Sequence, residues 1–372
     1  MTYKPARELG LDLPGITGRH NALTDVPGLM AGYTTLNFGE GPLVTGQGPV
    51  RTGVTAILPR GRDAVPQPVW AGTHSFNGNG EMTGTHWIQD GGYFLGPIMI
   101  TNTHSVGRAH QAAVQWMIDT YPEHWGSEHL WAMPVVAETY DGTLNDINGL
   151  HVTEAHAREA LDQATDGPLS EGNVGGGTGM ICYEFKGGTG TSSRRITLHD
   201  REYHVGVLVQ ANHGRRKDLT ILGVPVGRYL TNNMLLSEHE MGSIIAVIAT
   251  DAPMMPHQLQ RLAKRGAIGI ARGGTTGGNG SGDIFLALST ANPMPIDRMS
   301  QINSDFSWIG DDLCDSVYQA AVEAIEEAVI NALLAADDMT TLRPTGQRCA
   351  AIDPDAMIEV MGRHSRLTTS RQ

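Results

Sequence analysis

Two hydroxyl residues flanked by glycine carry the first suggestion of chemistry. Gly242-Ser243 opens onto the run from Ile244 to Thr250 (IIAVIAT), which is apolar enough and short enough for a fully buried strand. A hydroxyl at the start of such a strand costs free energy unless it finds partners. One reading is a strand-start serine bonded to neighbouring backbone. The other makes Ser243 an N-terminal nucleophile: its hydroxyl cleaves the peptide bond before it, and the freed α-amine, with an ordinary pKa of about 7.7–8.0, becomes the general base. Gly242 suits that attack, because a residue without Cβ tolerates a strained backbone. The second hydroxyl, Ser281, lies in Asn279-Gly280-Ser281-Gly282-Asp283. That stretch is either a turn into a following strand, or a site where flanking glycines let Ser281 approach another hydroxyl while Asp283 orients the pair.

Three further residues stand at strand ends. Asn212 follows the run 204–210 (HVGVLVQ), either as a capping amide in a turn or as an oxyanion donor. Glu138 and Tyr140 are two apart and in a strand would point the same way. Glu138 is then a solvated edge acid or the partner of a substrate ammonium.

Better-known constellations do not fit. The glycine-rich stretch 172–179 (GNVGGGTG) lacks the Gly-Lys-Ser/Thr of a P-loop, and a GxGxxG count from Gly175 fails at Met180. Backbone packing or a pocket lining is the favoured role, with nucleotide binding as a rival. His151 and His156 are five apart, on different faces if helical, unlike the i, i+4 pair of a zinc protease; neither metal nor other cofactor is expected. No GxSxG elbow occurs.

The elements that would position these residues alternate. Strands are expected at 53–58 (GVTAIL), 93–100 (YFLGPIMI), 131–137 (WAMPVVA), 204–210, 243–250 and 284–289 (IFLALS). Helices are expected at 105–119 with Ser105 as N-cap, at 151–163, at 256–265 behind Pro256, and at 313–336 with Asp312 as cap and Glu326 and Glu327 toward water. This is an α/β or α+β pattern without repeats or a composition break, so one domain over 1–372 is expected.

Composition agrees. The 372 residues include 47 glycines, about 13% against a usual ~7%, and only 17% charged residues, which excludes a disordered chain. A net charge of −13 argues against nucleic acid, and Arg215-Arg216-Lys217 before Asp218 reads as a solvated turn. Three cysteines without a CxxC pair suit a reducing compartment. Residues 1–10 lack an apolar signal core and no run of 18 apolar residues occurs, so a cytoplasmic protein without membrane partners is expected.

Taken in order, seven segments resemble one family. They are 21–28 (NALTDVPG), 138–142 (ETYDG), 172–180, 210–212 (QAN), 242–253 (GSIIAVIATDAP), 256–259 (PHQL) and 279–285 (NGSGDIF). The chain resembles the L-aminopeptidase D-Ala-esterase/amidase and β-peptidyl aminopeptidase family from about residue 6 to 340. The resemblance implies an αββα sandwich like that of N-terminal nucleophile hydrolases but differently connected. It also implies self-cleavage into 1–242 and 243–372, with the associated pieces forming a tetramer of heterodimers. By position, Ser243 is the nucleophile, Ser281 bonds to it, and Asp283 stands where the family has a glutamate. Asn212 with Tyr140 beside it serves the oxyanion, and Glu138 binds the free amine of a small peptide, amide or ester. The activity implied is release of a β-, D- or small L-residue. An ornithine-acetyltransferase-type acyltransferase is the alternative; those chains place threonine at the cut, where Gly-Ser stands here.

Overall fold

Runs of β-branched residues and helices rich in alanine stack into four layers in the computed structural model, which describes residues 3–63, 65–127, 131–235, 242–294, 296 and 304–368. In chain order the elements are β1 (Met30–Phe38), β2 (Val50–Leu58), β3 (Val69–Ser75), α1 (Thr85–Gly91), β4 (Tyr93–Phe94), β5 (Ile98–Asn102), α2 (Val106–Thr120), α3 (Pro122–Ser127), β6 (Val135–Thr139), α4 (Glu154–Asp162), β7 (Ile181–Cys182) and β8 (Phe185–Lys186). The chain continues through β9 (Gly188–Leu198), β10 (Arg201–Asn212), β11 (Ser243–Thr250), α5 (Pro256–Ala263), α6 (Arg265–Arg272), β12 (Gly282–Ser289), α7 (Cys314–Leu334), β13 (Met339–Leu342), β14 (Thr345–Cys349) and α8 (Pro354–Arg363).

Two sheets form the middle layers. One has the order β1-β2-β5-β6 and the other β4-β3-β12-β11-β10-β9. Pairing is antiparallel except for β5 with β6 and β11 with β12. Side chains alternate between two cores along each strand. In β11, Ile245 and Val247 enter the core between the sheets, where they join Ile57, Ile100 and Leu286. Ile244 and Ala246 face the outer core under α5 and α7, with Leu259, Val317 and Ala328. A third core packs α2 and α4 on the four-stranded sheet through Ala109, Ala113, Leu161 and Val54. The αββα sandwich expected from the sequence is therefore the observed fold. No helix among the described residues is long and apolar enough to cross a membrane.

Several local expectations need correction. The strand expected at 93–100 is two strands in different sheets, because Gly96 at φ 125° and Pro97 break it. The strand expected from Trp131 begins only at Val135. Ser105 makes no side-chain cap; the Asn102 side chain accepts from His104 N instead. Nor does Asp312 cap α7, whose N-cap position is Leu313. α4 begins at Glu154, so His151 lies outside it and bonds to Asp146. A separate helix, α6, follows the one expected at 256–265.

Two charge expectations fail outright. Glu327 is fully buried, held by Arg7, Asn21 and Arg194, and the buried Glu326 pairs with Arg272. α7 is covered on both flanks, so its carboxylates meet cations of the chain instead of water. Arg216 is also fully buried: its guanidinium lies 3.2 Å from the Phe185 ring centroid and donates to the carbonyls of Tyr183, Glu184 and Leu230.

The stretch 172–179 is a packing device. Gly175 N and Gly176 N donate to the hydroxyls of Thr35 and Thr55, and a Cβ on Gly177 would lie 2.2 Å from Thr189 N. These amides are spent inside the protein, which removes the nucleotide-loop reading.

Candidate active site

β11 and β12 begin side by side, with Ser243 opposite Gly282. Because Ser243 is in phase with Ile245 and Val247, its hydroxyl lies on the face between the sheets. That hydroxyl donates to the carbonyl oxygen of Gly242 at 2.8 Å and accepts from Gly282 N–H at 3.2 Å. The same Gly282 N–H lies 3.3 Å from Gly242 O. A nucleophile, its own preceding carbonyl and a backbone donor thus meet at one point. Gly242 is required here by close approach: a Cβ would sit 1.9 Å from Asn212 O.

Asn212 ends β10 directly across from Ser243. Its amide is fixed at both atoms, since Oδ1 accepts from Ile181 N at 2.8 Å and Nδ2 donates to Tyr140 O at 3.0 Å. Nδ2 carries a second hydrogen, available for an oxyanion. The next residue, His213, is buried, and burial pushes its imidazole down to about 4, partly opposed by Asp283. A neutral imidazole with no partner at Nε2 is a poor general base near neutral pH.

Ser281 Oγ donates to Asp283 Oδ1 at 2.6 Å, and both residues are buried. Asp283 Oδ2 accepts from Asn77 Nδ2 at 3.1 Å. Asp283 is in phase with Phe285 and Ala287, which belong to the outer core, so Ser243 and Asp283 occupy opposite faces of the sheet. The bond expected between the two serine hydroxyls is not formed: each is directed elsewhere, and Gly282 lies between them.

Glu138 lies in β6, in the other sheet, and is only 3% exposed. Oε1 accepts from Glu81 N at 2.9 Å and Oε2 from the Thr103 hydroxyl. Burial raises the Glu138 carboxyl above the ordinary glutamate value, against the pull of these two donors. Tyr140 does not share its pocket. β6 ends at Thr139, and Tyr140 is 43% exposed, its ring lying over Gly142, whose Cβ would fall 2.2 Å from the Tyr140 hydroxyl oxygen. Tyr140 touches the site through its carbonyl on Asn212.

Sequence reasoning missed Asn77, Thr103 and the amides of Gly282 and Glu81. Only Asn77 left a trace, in the turn-forming Asn77-Gly78-Asn79-Gly80 after β3.

A serine at the head of an inner strand of an αββα sandwich, with its hydroxyl on the preceding carbonyl, defines a hydrolase of the N-terminal nucleophile class. The chain matches Peptidase family S58 over residues 21–345, and it belongs to that family. It is 50% identical over 349 residues to the β-peptidyl aminopeptidase BapA of Sphingosinicella microcystinivorans, covering 90% of this chain and 86% of that one. Its fold matches the L-aminopeptidase D-Ala-esterase/amidase of Ochrobactrum anthropi, described as a prototype for the serine aminopeptidases and a new variant among the Ntn hydrolase fold. The TM-score is 0.93 at 54% identity, over 98% of this chain and 100% of that one. A β-aminopeptidase of Burkholderia sp. matches at TM-score 0.88 and 42% identity, over 97% and 99% of the two chains.

Proposed function

We propose that this protein is a self-processing serine aminopeptidase and amidase that removes the first residue, β-, D- or small L-, from short peptides, amides and esters. The observation that carries the reading is the position of Ser243 Oγ, 2.8 Å from the oxygen of the carbonyl it would attack.

In maturation, Ser243 Oγ adds to the Gly242 carbonyl carbon, and Gly282 N–H, 3.3 Å from that carbonyl oxygen, stabilises the developing negative charge. The Gly242–Ser243 C–N bond breaks and the serine nitrogen leaves as an amine, taking up the hydroxyl proton. Water then hydrolyses the Gly242 ester. The pieces 1–242 and 243–372 result, with a free amine on Ser243. In turnover that amine accepts the proton from Oγ as Oγ attacks the substrate carbonyl, then gives it to the leaving amine. Water resolves the acyl-enzyme; an amine in place of water gives transfer. Asn212 Nδ2 assists at the oxyanion, with Tyr140 O fixing its orientation. Ser281, tied to Asp283, is the hydroxyl we assign to the freed α-amine, and Glu138 is the anchor for the substrate's ammonium.

On the family resemblance the pieces stay together and assemble as a tetramer of heterodimers. Three buried cysteines without a disulfide favour the cytoplasm. N-terminal sequencing of active protein tests the core of the reading. Two starts are expected, one of them at Ser243, while Ser243→Ala gives one uncut 39.9 kDa chain and turnover lower by a factor on the order of 10⁴ or more. Hydrolysis that survives in Ser243→Ala would refute it.

A further inference from the structure

One segment, residues 76–83, joins the two halves of the site. It leaves β3, where Phe76 N donates to Asp283 O at 2.9 Å, and Asn77 Nδ2 reaches Asp283 Oδ2. Asn79 Nδ2 donates to Gly280 O at 2.7 Å. Glu81 N then donates to Glu138 Oε1, and Thr83 N donates to Val136 O at 2.9 Å, fastening the segment to β6. Gly80 is the residue in the gap. A methyl group built on it would lie 3.2 Å from Glu138 Oε1, 3.4 Å from Gly282 Cα and 3.6 Å from Ile284 Cδ1. Gly80 therefore walls the space between the carboxylate in one sheet and the strand start that touches the nucleophile in the other. Its φ is not in the left-handed region, so the backbone does not call for glycine there. The space does.

We propose that Gly80 is a specificity-determining residue: its missing side chain leaves the room, between Glu138 and Gly282, that a first residue carrying its amine on the β-carbon requires. This rests on the reading of Glu138 as amine anchor and Ser243 as nucleophile. A β-residue places one more carbon between ammonium and carbonyl than an α-residue does. With both ends of that span pinned, a methyl group on Gly80 takes up space the longer residue needs more than the shorter one.

The test uses two isomers that differ only in where the amine sits, β-alanyl and L-alanyl p-nitroanilide. In Gly80→Ala the ratio of kcat/KM for the β-isomer over the α-isomer should fall about tenfold, the usual scale of one methylene in a fitted pocket. Glu138→Asp draws the carboxylate back and should move the ratio the other way. If Gly80→Ala fails to mature, Glu138→Asp decides alone. An unchanged ratio in the measurable variants overturns the proposal. Glu138→Gln separates the two ideas: a raised KM for both isomers alongside an unchanged ratio sinks only the role of Gly80, whereas an unchanged KM for both sinks the anchor itself.

Discussion

Two buried polar regions of this protein handle charge in opposite ways. Around Glu327, both carboxylate oxygens are saturated: Oε1 takes bonds from Arg7 Nε at 2.9 Å and Asn21 Nδ2 at 2.7 Å, and Oε2 from Arg7 and Arg194 at 2.9 and 2.8 Å. At the site, Glu138 accepts one bond at each oxygen, and among the described residues it forms no salt bridge, although it is nearly as buried. Ser243 spends its proton on the carbonyl of the peptide bond that precedes it. A fully compensated buried charge holds elements together. One left short of a counter-ion is prepared for an outside cation, on the proposed reading the substrate's ammonium.

The contrast can be broken by variants on either side. Removing the Glu327 carboxylate leaves Arg7 and Arg194 facing each other with Glu323, 3.6 Å from Arg194, as the remaining counter-charge, so Glu327→Ala should cost about 3 kcal/mol of stability. Urea unfolding in the uncut Ser243→Ala background would measure this on a single chain. A loss under about 1 kcal/mol would mean that the cluster is not the fastening described. Next, Glu138→Gln should raise KM for free-amine substrates on the order of 10- to 100-fold with little effect on kcat. It also has a pH signature. Only the ionised carboxylate pairs with an ammonium, and burial raises its proton affinity. Wild-type kcat/KM should therefore fall with decreasing pH through a value above the ordinary 4.5, and Glu138→Gln should lose that acid limb. The smallest effect is expected at Asn77. Asn77→Ala frees Asp283 Oδ2 and should lower kcat roughly tenfold at unchanged KM. If KM rises and kcat holds, Asn77 serves only to seat the segment 76–83.

Much of this was legible in the sequence where the signal is local. β11 and β12 are continuous apolar runs of strand length, and Ser243, Ser281 and Asp283 stand out because a glycine precedes each of them. Glu327 was misread because residues on an exposed and a compensated helix face look alike. What distinguishes them is Arg7 and Arg194, which reach α7 from the N-terminal segment and β9. Arg216 was misread for the same reason, since the carbonyls that neutralise it lie on other loops. At the site, Asn77 is 206 residues from the Asp283 it bonds to and Glu81 is 57 from Glu138, and Gly282 contributes a main-chain N–H, a group every residue but proline carries. Nothing in residue type marks such a donor. The paired break at Leu95-Gly96-Pro97 was visible as Gly-Pro, but that it sends the chain from one sheet to the other depends on which strands are already paired.

The strand order β4-β3-β12-β11-β10-β9 would give the proposed maturation cut a topological outcome. Strands β11 and β12 belong to the downstream piece, and on either side they are zipped to strands of the upstream one. Severing the chain before Ser243, as proposed, would thus make two molecules that are interleaved like a hand in a grip. Neither can leave without tearing two rows of ladder bonds from the middle of the sheet. Each protomer would then mature once and keep its original halves for life, and mixing cut wild-type protein with a tagged cut variant should exchange whole protomers at most, never fragments.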